Sequence, residues 1–186
     1  MKPEGLSKIE LARWMNGIER VLQHEGGFVD DPVDPGGATQ WGVSLRFLQG
    51  LDLRDGDIDR DGDIDRDDIL GLTQAQAADL YYRHFWQPGR YGQLPDGVGE
   101  KVFDLAVNMG PRQAHRLAQR ALRSCGRLVA EDGVLGPVTR NALLVAYPAP
   151  LAAALRSEAA GFYRVLIAGN PRLARYEAGW LRRAYS

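Results

Sequence analysis

Apolar side chains recur at intervals of three and four along most of this chain. Ile9, Leu11, Trp14, Met15, Ile18, Val21 and Leu22 form one such stripe, Ser7 stands where a cap belongs, and the spacing predicts a helix ending near His24. Ser44 caps a short helix, and Thr73 with Gln76 makes a capping box ahead of "AQAADLYYRHFW", which stops near "QPGR". Pro95-Asp96 opens "GVGEKVFDLAVNMG", and Gly110-Pro111 separates it from "RQAHRLAQRALRSC". Beyond the turn "EDGVLGPVTRNALL" two further amphipathic helices are expected, over about 150–168 and 172–184. Only residues 26–43, dense in Gly and Pro and closing on "QWGV", leave room for a small hairpin. The fold class is mainly α.

Composition sets the scale. With 186 residues, 45% apolar and 25% charged, the chain can bury a full core, and no apolar run approaches a membrane span. The start "MKPEGLSKIE" lacks the basic and apolar regions of a secretory signal, so synthesis in a cytosol is expected. A single cysteine, Cys125, excludes an internal disulfide and reads as a small half-buried residue. Net charge is only −1, but its distribution is uneven. Residues 52–68 hold nine Asp and three Arg, whereas from residue 111 onward twelve Arg face four acids. The second half is therefore a cationic body, and charge alone does not choose among nucleic acid, membrane surface and anionic wall.

The stretch "LQHEGGFVDDPVDPGGATQWGV" carries the candidate chemistry. Gly26-Gly27 cannot propagate the first helix, so Glu25 sits at its C-terminal end, where the helix dipole and partial burial disfavour ionisation. A glutamate kept protonated in this way suits a general acid for glycoside cleavage. Asp34 follows nine residues later on a Pro-Gly-Gly turn, and Thr39 five residues after that. A carboxylic acid, a second carboxylate and a hydroxyl from one loop can protonate a glycosidic oxygen and orient a water. The alternative is that Glu25 merely ends a helix and Asp30, Asp31 and Asp34 form turns.

The runs "HEGGFVDDPVDPGGATQWGVS", "YYRHFW", "VFDLAVNMG" and "DGVLGPVT", in this order, resemble glycoside hydrolase family 108, the N-acetylmuramidases of phage endolysins and related wall enzymes. The resemblance covers most of the chain and implies a lysozyme-like helical domain in which Glu25 is the catalytic acid. It also implies that "EDGVLGPVTRNAL" and "YEAGWLRR" belong to a small helical peptidoglycan-binding region, giving domains at 1–125 and 126–186 with the second packed on the first. The Glu-to-Asp spacing is similar to the Glu/Asp/Thr triad of phage lysozymes, in which Asp and Thr hold the attacking water. There the Asp-to-Thr gap is one residue longer, so the third member is Thr39 or Gln40. Trp41, Tyr81, Tyr82, Phe85 and Trp86 offer ring faces for sugars, although helical spacing places most of them in a core. Asn108, two residues before Gly110, resembles a substrate-binding Asn of this family, or serves as a helix cap. His24 and His84 have no partners at metal spacing.

A second motif, "DIDRDGDIDRDD", spans residues 57–68. Numbered from Asp57 it places Asp57, Asp59, Asp61 and Asp65 at positions one, three, five and nine. Gly62 falls at six, Ile64 at eight and Asp68 at twelve, with Asp63 offering its carbonyl at seven. This is an EF-hand-type loop whose final Asp resembles dockerin loops. It is expected to bind structural Ca²⁺ within an insertion at 52–70, without a full entering helix because of Gly50 and Gly56. The alternative is an acidic insertion without a cation.

Three functions compete. A muramidase would cleave the β-1,4 bond between N-acetylmuramic acid and N-acetylglucosamine. A lytic transglycosylase would use Glu25 as acid and then base, with no need for Asp34. A non-catalytic wall-binding module would need neither. The resemblance favours the first, and the missing secretory signal leads to the expectation of an endolysin released from the host cytoplasm to the periplasm and cell wall by a holin. Its expected partners are bacterial peptidoglycan and the anionic cell envelope, not nucleic acid. A monomer without an integral membrane segment is expected.

Overall fold

The computed structural model of the chain describes residues 5–24, 27–29 and 37–186. Among these the fold is mainly α, with one two-stranded antiparallel sheet. The chain divides into two compact units, Met1–His84 and Phe85–Ser186. The division expected at 125/126 falls inside the second unit. No helix among the described residues is long and apolar enough to cross a membrane.

The first unit begins with α1 (Lys8–His24). Ser7 and Glu10 close its first turn reciprocally: the Glu10 N–H donates to Ser7 Oγ at 3.2 Å, and the Ser7 N–H to Glu10 Oε2 at 3.1 Å. Trp14, Ile18 and Val21 are buried on one stripe, and Trp14 meets Tyr82 edge-on. Strands β1 (Thr39–Gln40) and β2 (Val43–Ser44) form the hairpin, and Ser44 caps α2 (Leu45–Leu48). The acidic segment lies between α3 (Leu53–Gly56) and α4 (Arg66–Gly71). Gly56 is buried because a Cβ there would stand 2.5 Å from Ile64 Cδ1 and 2.7 Å from the Leu48 carbonyl. Thr73 and Gln76 form the expected capping box of α5 (Gln74–Tyr81).

The expected helix through "YYRHFW" departs from regular α geometry. A π-helical turn at Tyr82–Trp86 follows α5, with the boundary between units inside it, and a short α6 (Gln87–Gly89) comes next.

In the second unit α7 (Val98–Met109) is the central helix, with Val102, Phe103, Leu105 and Ala106 fully buried. It packs with α8 (Pro111–Ser124) and α10 (Pro148–Gly169). Two expectations need correction here. "GPVTRNALL" is not wholly a turn: Pro137, pre-set for a first helical position, opens α9 (Pro137–Val145). The final helix is split into a 3₁₀ segment, Pro171–Tyr176, and α11 (Glu177–Tyr185). A closed charged trio ties α11 to α7. Asp104 pairs with Lys101 Nζ at 3.4 Å and with Arg183 Nε at 3.1 Å, and Lys101 donates to the Arg183 carbonyl. Burial holds the Lys101 ammonium below its ordinary pKa, opposed by Asp104.

Candidate active site

Glu25 and Asp34, with Asp30 and Asp31, lie outside the described residues. What flanks them is described. Val29 and Thr39 form an antiparallel bridge, with reciprocal N–H to carbonyl bonds of 2.8 Å on either side of residues 30–36. Thr39 donates its hydroxyl proton to the Gly37 carbonyl at 3.3 Å, leaving the oxygen's lone pairs to accept. The last turns of α1 present Leu22 and Gln23 to a cavity of about 710 Å³ shared with Gln74 and Ala78 of α5.

The hairpin turn is Trp41-Gly42, with φ of 52° and 76°. Both central residues are left-handed, as a type I′ hairpin turn requires, but a tryptophan gains no ease there. Side chains far along the chain hold it. Trp41 Nε1 donates to the Leu72 carbonyl at 3.1 Å, and Tyr81 donates its hydroxyl to the Trp41 carbonyl at 3.2 Å. Gln40 Nε2 donates to the carbonyls of Leu72 at 2.7 Å and Leu70 at 3.3 Å. Gln40 and Trp41 thus satisfy the C-terminal carbonyls of α4, and Arg66 from its first turn stands over the Phe28 ring at 5.2 Å. This tie between hairpin and α4 has no local sequence signature.

The other end of α4 belongs to the acidic loop. Asp65 and Asp68 form its capping box, and Asp68, 1% exposed, accepts from the backbone of Ile58 at 2.6 Å, Asp59 at 3.3 Å and Asp65 at 2.7 Å. Asp57 accepts from Arg60 N at 2.6 Å and Gly62 N at 3.0 Å, and Gly62 takes φ of 106°. Asp57, Asp59 and Asp61 can bring one oxygen each within 4.8 Å of one another, and so can Asp63, Asp65 and Asp68. Asp63 appears here with its carboxylate, beyond the backbone carbonyl expected of it. The concentration of charge is felt within the loop. The Asp61 charge, followed by desolvation, raises the pKa of Asp63; desolvation, followed by the charges of Asp61, Asp68 and Asp57, raises that of Asp59.

The segment entering the loop is anchored as well. Asp55 accepts from Arg83 at 2.5 Å and pairs with His84 Nε2 at 3.0 Å, and the Arg83 bond holds its carboxyl below the ordinary range. His84 therefore has a structural partner. Tyr81 and Trp86 are core residues, each less than 5% exposed.

Asn108 belongs to the second unit. It is exposed at the end of α7, and Tyr163 donates its hydroxyl to Asn108 Oδ1 at 2.8 Å, so the Asn amide N–H₂ is the end left to face outward. A separate polar cluster orders the "EDGVLGP" turn. Gln119, fully buried in α8, accepts from Gly133 N at 2.9 Å and donates to Asp132 Oδ1 at 2.7 Å and the Val134 carbonyl at 3.1 Å. His115 Nδ1 lies 3.1 Å from the Gly133 carbonyl, which can only accept, so Nε2 takes the Tyr91 hydroxyl proton at 2.9 Å. Burial lowers the His115 pKa and raises that of Tyr91.

Comparison with known families decides the grouping, because the family described as Glycosyl hydrolase 108 matches residues 18–110, half of the chain. The chain belongs to the glycosyl hydrolase 108 family. This span holds the α1 terminus, the hairpin, the acidic loop and Asn108. A second family, described as Predicted Peptidoglycan domain, matches residues 113–185. Among solved structures, that of Brucella abortus SagA is similar at 25% identity and a TM-score of 0.75, covering 93% of this chain and 90% of that one. No curated protein matches significantly. A glycosyl hydrolase 108 match joined to a peptidoglycan-domain match makes the chain a peptidoglycan hydrolase of the glycoside hydrolase class.

Proposed function

We propose that this glycosyl hydrolase 108 chain is an N-acetylmuramidase, cleaving the β-1,4 bond between N-acetylmuramic acid and N-acetylglucosamine. Glu25 is its general acid, Asp34 holds the attacking water, and the reaction inverts at the anomeric carbon. The observation that carries this reading is the pinned hairpin. A left-handed Trp41 held by Leu72 and Tyr81, beside the Val29–Thr39 bridge, is the kind of over-determined backbone that accompanies a site needing fixed geometry. Gln40 commits its amide protons to Leu70 and Leu72, which favours Thr39 as the third polar group for the water. A lytic transglycosylase would have no use for the loop carrying Asp34.

Calcium completes the proposal as a structural ion. The residues fit it: six carboxylates in two groups, five of them (Asp57, Asp59, Asp61, Asp65 and Asp68) accepting backbone N–H bonds, with Gly62 in the conformation that the sixth loop position needs. The ion would be held by Asp57, Asp59, Asp61 and Asp68 and by the Asp63 carbonyl, with Asp65 at the ninth loop position, and would supply only charge compensation. Through α4 it would steady Gln40 and Trp41. The arginine-rich half draws the protein, as a monomer, to the anionic envelope after holin-type release from a host cytoplasm.

Digestion of purified sacculi with mass spectrometry of the products tests this. Reducing-end muramic acid is expected, whereas 1,6-anhydromuramic acid would establish transglycosylation. Glu25→Gln should lower turnover by about 10²- to 10⁴-fold with the fold intact, and retention of more than about a tenth would remove Glu25 as the acid.

A further inference from the structure

The turn that closes α6 holds an arginine where glycine would sit more easily. Arg90 has φ of 47° and ψ of 40°, a left-handed conformation that glycine takes freely and a side-chain-bearing residue does not. The turn is fixed around it. A Cβ at Gly89 would run into the Tyr91 ring, and Tyr91 is fully buried with its hydroxyl on His115. The Arg90 side chain is exposed. An arginine kept in a strained conformation at the surface points to a use for its guanidinium.

A second guanidinium grips the same turn. Arg140, half-buried on α9, donates from Nη2 to the Gly89 carbonyl at 2.7 Å, from Nη1 to the Arg90 carbonyl at 3.3 Å and from Nε to the Leu135 carbonyl at 2.8 Å. A guanidinium has five donors, so one is left on each Nη. These three bonds have already removed the rotamer freedom that binding would otherwise cost. The acceptors are all neutral, and the charge stays uncompensated. Burial and then the Arg90 charge lower the Arg140 pKa, against a smaller opposing effect of Tyr91. No carboxylate among the described residues pairs with Arg90 or Arg140. Arg83, Lys101, Arg120, Arg123 and Arg183, by contrast, each face one. Two cations held side by side without a counter-ion oppose each other in the free protein and cooperate once an anion lies between them.

We propose that Arg90 and Arg140 clamp a carboxylate of the peptidoglycan stem peptide, Arg140 as the fixed member and Arg90 as the exposed one. The occupant rests on the chain being a peptidoglycan hydrolase, whose polymer carries its charge on peptide carboxylates, and not on the role of Glu25. Arg90 lies within the 18–110 family match and Arg140 within the 113–185 match, yet both belong to one compact unit. The clamp thus joins the two family segments in a single site.

Retention of the full chain on sacculi freed of phosphate polymers, in the Glu25→Gln background and at about 150 mM salt, tests the clamp. Arg90→Gly should weaken retention about tenfold and raise the melting temperature, because glycine suits the turn and one of two like charges is gone. Arg90→Glu places a carboxylate beside Arg140 and should weaken retention about a hundredfold. Amidating the carboxylates of the sacculi should weaken retention of the parent and leave Arg90→Gly little changed. The exposed Arg164 on α10 is the control, and Arg164→Ala should bind like the parent. The clamp is overturned if Arg90→Gly binds like the parent, if it lowers the melting temperature and so marks Arg90 as structural, or if Arg164→Ala falls as far. Parent retention that survives amidation, or that needs the phosphate polymers left in place, overturns the carboxylate. Release of muropeptides by the unsubstituted chain is scored separately. Product with Arg90-independent retention ends the clamp and leaves hydrolysis standing; Arg90-dependent retention without product does the reverse.

Discussion

Replacing Asp61 with asparagine should move the stability of the first unit in opposite directions with and without calcium. Asp61 Oδ1 accepts from Asp63 N at 3.1 Å, and an asparagine keeps that oxygen, so the turn survives while the charge is lost. Without a cation the charge is a liability, because Asp61 is the first cause of the raised pKa of Asp63 and also raises that of Asp59. In chelator the substitution should therefore raise the melting temperature. With calcium bound as proposed, the same charge would act as a ligand. An ion that binds only the folded loop adds about 2.7 kcal/mol at a hundredfold excess over its dissociation constant, or roughly 5–10 °C for a chain of this length. Loss of one charged ligand should weaken the ion about tenfold and so remove about half of that gain. Thermal unfolding in calcium, magnesium and chelator reads both signs. Asp68→Asn is the contrast, because Asp68 accepts from Ile58, Asp59 and Asp65, and it should destabilise in every condition. A wild-type melting temperature indifferent to calcium, or an Asp61→Asn shift of the same sign in both media, refutes the reasoning.

The second unit supports two more predictions. Gln119→Leu keeps the volume but strands the buried Gly133 N–H and leaves Asp132 and Val134 without their donor, so urea unfolding should show a loss of about 2–4 kcal/mol; less than about 1 would mean the turn is held elsewhere. Burial lowers the His115 pKa, so the unfolded chain binds the extra proton first. Its contribution is present above the unfolded value of about 6.5 and lost as pH falls from there toward the folded value. His115→Gln should flatten this part of the stability profile, and an unchanged slope would assign it to other groups.

The helices were legible because their signals are local. The Ser7 cap, the Thr73–Gln76 box and the α1 stripe each sit within a few residues, and each appears where the spacing places it. The hairpin was legible too, from the Gly and Pro density around "QWGV". Three features were not. The π turn at Tyr82–Trp86 shares its apolar spacing with an α-helix over so short a run. The 3₁₀ segment at 171–176 reads as helix from periodicity alone. α9 is nine residues opened by a proline inside a stretch rich in turn formers, and only its packing against α8 distinguishes it from a loop.

The site divides in the same way. The EF-hand spacing of Asp57 to Asp68 is a one-dimensional pattern, since each carboxylate's place follows from its offset along a single loop. What that loop connects to is a matter of three dimensions. Gln40 and Trp41 reach the Leu70 and Leu72 carbonyls across about thirty residues, and no periodicity reports a side chain spent on a distant helix end. Here the two patterns explain one another. The 52–70 insertion lies between the "QWGV" hairpin and α5, and its six-residue α4 begins at the Asp65–Asp68 box and ends against the hairpin's side chains. A helix of that length has little stability of its own and must be held from outside at both ends. The carboxylates hold its start and the hairpin its end. Whatever steadies the acidic loop therefore bears on Trp41 through six residues of helix, and this gives an acidic loop beside the hairpin a physical reason to be there.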